Sequence, residues 1–146
     1  MPYVKIWIHA VWATKNREPF LNKNIRSLVF EHIHQYGLSK NILIDCVNGH
    51  HEHVHCLFRL RNDQNLSKVL QLLKGESSFW INNQNLIKPK FIWQKEYFAV
   101  SVSESVVDTV RRYIHNQEEH HSKKPFAREY DEFITKYNFQ VINDYV

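Results

Sequence analysis

The sequence predicts an α+β fold of the ferredoxin-like class (split βαβ, RRM-like): a four-stranded antiparallel sheet, two helices on one face and a further helix after the last strand. Segments rich in β-branched and aromatic residues alternate with segments of helical periodicity in the order β-α-β-β-α-β. Asn48-Gly49 predicts a hairpin between the second and third strands. The apolar run over 54–60 suits the central position that this topology gives the third strand.

Composition is that of one folded domain spanning residues 1–146. Hydrophobic residues make up 43% and aromatic residues 14% of the chain, which excludes a disordered polymer. Two cysteines are too few for a disulfide framework. No apolar run approaches the roughly 20 residues that span a bilayer, so we expect a soluble, cytoplasmic protein with no membrane partner. The net charge of +4 is compatible with a nucleic-acid partner but does not demand one.

The first half of the chain predicts two strands around one helix. Residues 3–14 and 41–47 have strand composition, and apolar residues recur at helical spacing over 22–36. Gly37 lies where a left-handed C-cap would end this helix. Asn48-Gly49 then leads into a histidine-rich third strand.

The second half predicts three helices and the fourth strand. The helices are expected over 66–80, 103–120 and 126–137, and the strand over 91–102. Ser103 and Ser105 are candidate N-caps of the 103–120 helix. Pro125 separates that helix from the last one.

The third strand opens with a cluster of histidines, four of them between residues 50 and 55. Because side chains alternate along a strand, His53 and His55 share one face and Val54 and Cys56 the other. Two imidazoles on a rigid strand provide two nitrogen ligands for a divalent metal ion. Taken alone, the motif is equally compatible with a pair of surface histidines.

The 103–120 helix carries polar residues on its apolar stripe. Val106, Val110 and Ile114 mark the stripe, and Tyr113 and Gln117 fall on it, four residues apart. A buried glutamine amide needs a partner, and its oxygen suits Mg²⁺ or Mn²⁺. A tyrosine hydroxyl beside such an ion could act as a nucleophile. Each residue alone could instead be an ordinary core aromatic or a satisfied interface amide.

The two motifs together resemble those of the single-tyrosine HUH transposases, small insertion-sequence enzymes that act on single-stranded DNA and include REP-associated tyrosine transposase relatives. His53-Val54-His55 matches the histidine motif of that family, and Tyr113-Ile114-His115-Asn116-Gln117 matches its tyrosine helix. The resemblance implies that Tyr113 attacks a phosphodiester and forms a 5′-phosphotyrosine. It further implies that His53, His55 and Gln117 hold one Mg²⁺ or Mn²⁺ ion.

The same resemblance implies the partners. These are single-stranded DNA hairpins at element ends, and a second copy of the chain in a homodimer whose tyrosine helices complete each other's sites. Basic and aromatic side chains suited to phosphate contact and base stacking are candidate DNA contacts. They are Lys88, Lys90, Trp93, Arg111 and Arg112.

Two other functions remain open at this level. The segment from His51 to Leu57 approaches the histidine triad of nucleotide hydrolases and transferases, although Glu52 stands where that motif has a hydrophobic residue. A non-catalytic, RRM-like binder of single strands would share the fold. It would leave the inward-facing Tyr113 and Gln117 unexplained.

Overall fold

The computed structural model describes residues 2–137, in which four antiparallel strands form one sheet in the order β2-β3-β1-β4. This strand order is that of the ferredoxin-like fold predicted from the sequence, and the α+β prediction is confirmed. The strands are β1 (Ile6–Thr14), β2 (Leu43–Gly49), β3 (His53–Leu60) and β4 (Trp93–Val102).

Helices cover both faces of the sheet. The helices α1 (Lys23–Ser39) and α2 (Leu66–Asn83) pack on one face. Three shorter helices pack on the other: α3 (Val107–His115), α4 (Gln117–Lys123) and α5 (Phe126–Tyr137). No helix within residues 2–137 is both long and apolar enough to cross a membrane.

The central strand β3 therefore has two buried faces. Val54, Cys56 and Phe58 are fully buried in the main core against α1 and α2. His53 and His55 project to the opposite face and are also fully buried. The alternation expected along this strand is confirmed, and the histidines are not surface residues.

The helix α1 begins at a capped position, where the Asn22 side chain accepts a hydrogen bond from the backbone N–H of Ile25 at 3.0 Å. The predicted C-cap at Gly37 is wrong, because α1 continues through Gly37 to Ser39. Asn41, with φ 61°, adopts the left-handed conformation after the helix end. Gly37 instead permits close packing, since a Cβ there would overlap the buried side chain of Ile44.

The hairpin between β2 and β3 turns later than predicted. Asn48 and Gly49 end β2, and residues 50–52 form the turn. Gly49 does not have a positive φ, so it is not the left-handed residue of a tight turn. Glycine is required at position 49 for a steric reason, because a Cβ there would overlap the carbonyl oxygen of His53.

The predicted helix over 103–120 is wrong as one continuous element. A 3-10 turn at Glu104–Val106 precedes α3, and Asn116 separates α3 from α4. Val106, expected on the inward stripe, is 45% exposed, and Val107 is buried instead. The Asn48 amide donates to the carbonyl oxygens of Ile114 and His115 at 2.9 and 3.2 Å. Such side-chain contacts with a helix carbonyl ladder commonly interrupt it.

We predict that Gly49→Ala destabilises the protein by about 1–3 kcal/mol, because the new methyl group forces the β2–β3 turn away from the His53 carbonyl. Gly75→Ala is the matched control. A Cβ at Gly75, inside α2, meets nothing within 4 Å, so this change should stabilise the protein by about 0.5–1 kcal/mol. Urea unfolding of both variants measures the difference, and equal effects would contradict the steric role of Gly49.

Candidate active site

The β1 and β3 strands form the floor of the candidate active site. Val11 pairs with His55, and Ala13 pairs with His53, so both imidazoles rise from the middle of the sheet. Both histidines have no exposed surface. Their position on a two-sided buried strand gives them little freedom to move.

Tyr113 extends from α3 towards the histidines of β3. Its ring centroid lies 5.6 Å from that of His55, and its hydroxyl lies 3.5 Å from His120 Nε2. The helix is held on the sheet by Arg111, whose Nε and Nη2 atoms each donate to the Asp45 carboxylate of β2 at 2.8 Å. Such bidentate pairs fix orientation as well as distance. The hydrogen bond with Arg111 is the main cause of the lowered pKa of Asp45.

Gln117 joins the same site at the start of α4. Its side chain is fully buried, and its Nε2 donates to the Tyr113 carbonyl oxygen at 3.3 Å. That hydrogen bond directs Oε1 towards the imidazoles, where it lies 3.0 Å from His53 Nε2 and 3.0 Å from His121 Nε2. The structure thus brings together all four residues singled out as catalytic or metal-binding from the sequence: Tyr113, His53, His55 and Gln117.

Glu129, His121 and His9 also belong to the site and were not assigned to it from the sequence. Glu129 of α5 is 3% exposed and places Oε1 3.0 Å from His55 Nε2 and Oε2 2.7 Å from His121 Nε2. The third residue, His9 of β1, lies 2.8 Å from His55 Nδ1 through its Nε2. Strand alternation could have found His9, because it shares the face of Val11 and Ala13.

The outer nitrogen of each imidazole is occupied by a neighbour. Glu52 accepts from His53 Nδ1 at 2.7 Å, and the Lys124 carbonyl oxygen accepts from His121 Nδ1 at 2.8 Å. His55 Nδ1 is hydrogen-bonded to His9. In each ring Nε2 is therefore the nitrogen that faces the interior of the site. Metal-binding histidines are held in this way in known metalloproteins.

The inward-facing atoms fit a divalent cation. A neutral imidazole carries one N–H. In His53 and His121 the acceptor at Nδ1 takes that hydrogen, which leaves the Nε2 lone pair facing the Gln117 oxygen. His55 Nε2 and both Glu129 oxygens are buried without aligned hydrogen bonds. Ligand atoms of His53, His55, His121 and Glu129 all lie within 4.8 Å of one another. A cation among them would satisfy these lone pairs.

Burial is the main influence on the pKa values of two histidines on the histidine face, which is the side of the sheet that carries His9, His53 and His55. It lowers the pKa of His9 to about 3 and that of His55 to about 4, so both rings are neutral at pH 7. Burial also opposes ionisation of Glu129, but the close approach of the His121 and His55 imidazoles outweighs it and holds the pKa of Glu129 well below its usual value. The site therefore contains a buried carboxylate beside the neutral ring of His55.

The same environment holds Tyr113 in its protonated form. Burial, followed by the negative charge of Glu129, raises the pKa of Tyr113 well above its usual value. A protonated phenol is a weak nucleophile. As arranged with Glu129 in place, the site is electrostatically unfavourable to attack by Tyr113.

The candidate DNA contacts are not all accessible. Trp93 is 5% exposed and lies in the main core, where its Nε1 donates to Ser77 Oγ at 2.8 Å, so its assignment to base stacking is corrected. Arg111 is engaged with Asp45. The exposed side chains of Lys88, Lys90 and Arg112 remain predicted DNA contacts.

Comparison with known proteins identifies relatives of this architecture. The family model described as IS200-like transposase matches residues 2–117. The fold is similar to the crystal structure of a candidate transposase from Deinococcus radiodurans, with a TM-score of 0.65, 22% identity, and coverage of 80% of this chain and 95% of that chain. It is also similar to a REP-associated tyrosine transposase bound to a REP hairpin, with a TM-score of 0.58, 16% identity, and coverage of 84% and 71%. A search of curated proteins found no match.

We predict that the metal-free protein loses stability as the pH falls from about 6.5 towards 4. The unfolded chain binds protons at His9 and His55 below pH 6.5, whereas the folded chain resists protonation down to about pH 3 and 4. Each histidine should lower the free energy of unfolding by up to about 1.4 kcal/mol per pH unit in that window. Chemical unfolding at several pH values, with chelator, measures the slope. His9→Gln should flatten it, and an unchanged slope would contradict the assignment.

Proposed function

The chain belongs to the IS200-like transposase family, and from this premise we propose that it cleaves and rejoins single-stranded DNA through Tyr113. The observation that carries the proposal is the meeting of Tyr113, His53, His55 and Gln117 in one buried site. These residues come from a strand and two helices that are far apart in sequence. A structural role alone would not require a phenol, two imidazoles and an amide oxygen to converge.

In the proposed reaction the Tyr113 hydroxyl oxygen forms a bond to the scissile phosphorus, and the bond from phosphorus to the 3′ oxygen breaks. The 3′ oxygen leaves as a hydroxyl group after taking a proton, and Tyr113 retains a 5′-phosphotyrosine link. Attack by a 3′-hydroxyl on that link rejoins DNA and restores the phenol. His120 Nε2, 3.5 Å from the Tyr113 hydroxyl, is placed to accept the phenolic proton.

His53, His55 and Gln117 would hold the divalent ion that the reaction requires. Mg²⁺ or Mn²⁺ at this position would stabilise negative charge developing on the scissile phosphate. Glu52 and His9 position the two imidazoles from outside. The Tyr113 carbonyl fixes the Gln117 amide, so the nucleophile and the oxygen ligand belong to one rigid segment.

Hairpin DNA is the substrate that we propose. Support comes from the structural relative that is described as bound to a REP hairpin. Lys88 and Lys90 lie exposed in the loop before β4 and would contact phosphates. We also propose that residues 1–146 act as one domain.

The alternatives have less support. His51 lies in the β2–β3 turn and not on the strand, so the three histidines do not form the alternating row of a histidine triad. Family membership also argues against that class. An RRM-like binder remains a distinct outcome, because it would bind single strands without forming a covalent adduct.

Tyr113→Phe should bind hairpin DNA, melt close to wild type and form no covalent adduct. The ring that packs beside His55 is kept, and the lost hydroxyl contributes only about 0.5–1.5 kcal/mol as an ordinary hydrogen bond. The measurement is a denaturing gel of protein incubated with single-stranded DNA from the flanks of its own gene and Mg²⁺ or Mn²⁺.

Wild-type protein should form the adduct in the same gel and lose it when chelator is in excess. Tyr97→Phe is the matched control, because Tyr97 lies on β4 in contact with the main core. An adduct that persists in Tyr113→Phe would move the nucleophile elsewhere. Binding without an adduct in wild type would support the RRM-like alternative.

The contacts of α3 favour a site formed within one chain, although the resemblance implies a homodimer with shared sites. Arg111 binds Asp45 of its own sheet, and Asn48 binds the end of the same helix. Exchange of α3 between two copies would break these contacts within each chain and would have to re-form them on the β2 strand of the other copy. On the resemblance we propose a homodimer, and the contacts of α3 within its own chain lead us to place each Tyr113 with its own His53 and His55.

Mixing Tyr113→Phe and His53→Ala subunits tests this arrangement. Each parent should be inactive, and the mixture should stay inactive if α3 remains docked on its own β2. Single-turnover cleavage of hairpin DNA is measured after subunit exchange, with dimer formation checked by light scattering. Recovery of cleavage in the mixture would show that sites are shared between chains.

A further inference from the structure

The helix α5 closes the histidine face of the sheet. The Phe126 ring stacks on the His53 ring, with centroids 4.2 Å apart and an interplanar angle of 7°. Tyr130 packs against Phe98 of β4, and the guanidinium of Arg17 lies 4.3 Å from the Tyr130 ring centroid. These contacts place Glu129 over His55. While α5 lies there, a phosphodiester cannot reach either imidazole of β3.

His121 and Glu129 lie beyond residues 2–117, the part of the chain that the family model matches. We propose that in the DNA-free protein these two residues join His53 and His55 as ligands of one divalent transition-metal ion, which fastens α5 over the site. The inference rests on the proposed function only in taking His53 and His55 as metal ligands. It adds a second arrangement of ligands, contributed by α4 and α5.

The ligand set indicates the class of ion. Three imidazole nitrogens and one carboxylate suit Zn²⁺ or Mn²⁺, whereas Mg²⁺ prefers oxygen ligands and retains water. The two Glu129 oxygens lie 3.0 Å from His55 Nε2 (Oε1) and 2.7 Å from His121 Nε2 (Oε2). With one ligand atom taken from each of the four residues, all of the separations are within 4.8 Å. Tetrahedral ligands about 2.1 Å from an ion are about 3.4 Å apart, which falls within this range.

Glu129 would occupy the position that substrate needs. In a four-ligand site the carboxylate fills the coordination position where a phosphate oxygen would bind. Entry of DNA must therefore remove Glu129 and move α5. Gln117 Oε1, 3.0 Å from His53 Nε2, is then the nearest remaining oxygen ligand. The α5 helix acts as a lid that carries its own metal ligand.

The test measures metal binding by the full chain without DNA. Zn²⁺, Mn²⁺ and Mg²⁺ affinities are determined by competition with a chelating dye for wild type and Glu129→Gln. Loss of a ligand should weaken binding by about 10-fold or more. Asp131→Asn, an exposed carboxylate on the same helix, is the matched control and should bind as wild type does.

A second readout follows α5 directly. Trypsin cleavage after Arg128 and Lys136, which both lie in α5, should be slowed by Zn²⁺ in wild type and in Asp131→Asn, but not in Glu129→Gln. If Glu129→Gln fails to melt cooperatively, His121→Gln removes a different ligand and should show the same losses.

Wild-type metal affinity and wild-type protection in both variants would overturn the proposal, as would binding of Mg²⁺ as tight as that of Zn²⁺. Neither readout uses DNA, so the outcome is separable from the proposed function. Glu129-dependent binding in a protein that forms no DNA adduct would disprove only the transposase chemistry. Metal-dependent adduct formation without Glu129-dependent binding would disprove only the lid.

Discussion

The site depends on the burial of β3 on both of its faces. One face carries Val54, Cys56 and Phe58 into the main core, and the other carries His53 and His55 under α3–α5. A slip of one residue in strand register would exchange the two faces and bury imidazoles among aliphatic side chains. The large core on one side therefore fixes the position of the polar groups on the other. Rigidity of the imidazoles is a by-product of hydrophobic packing.

The edge strand β2 holds the helix that carries Tyr113 in a fixed position over the sheet. Asp45 orients α3 through Arg111, and Asn48 takes the carbonyl groups at the end of the same helix. Both contacts arise from one short strand that is itself paired with β3. Tyr113 and the two β3 histidines are thus positioned by a continuous chain of hydrogen bonds. Substitutions in β2 would therefore shift the Tyr113 hydroxyl even where the substituted residue contacts neither DNA nor metal.

Local periodicity predicted the order of helices and strands, the shared face of His53 and His55, and the pairing of Tyr113 with Gln117. The spacing that pairs Tyr113 with Gln117 also extends to His121, four residues further on. Glu129 could not be predicted in this way, because its role follows from how α5 folds back over the sheet, which no short-range pattern encodes. Trp93 and Gly37 failed for a related reason: propensity suggested a stacking platform and a helix cap, whereas tertiary packing placed both in the core.

Lys124 and Pro125 separate α4 from α5 and divide the site into two parts. Before this break, α3 and α4 hold the phenol and the Gln117 amide; after it, α5 carries Glu129. Rotation of the backbone at these two residues would swing the Glu129 carboxylate away from His55. Tyr113 and Gln117 lie on the other side of the break, joined by the hydrogen bond from Gln117 Nε2 to the Tyr113 carbonyl oxygen. Removal of the Glu129 ligand would therefore leave the positions of the Tyr113 hydroxyl and the Gln117 oxygen unchanged.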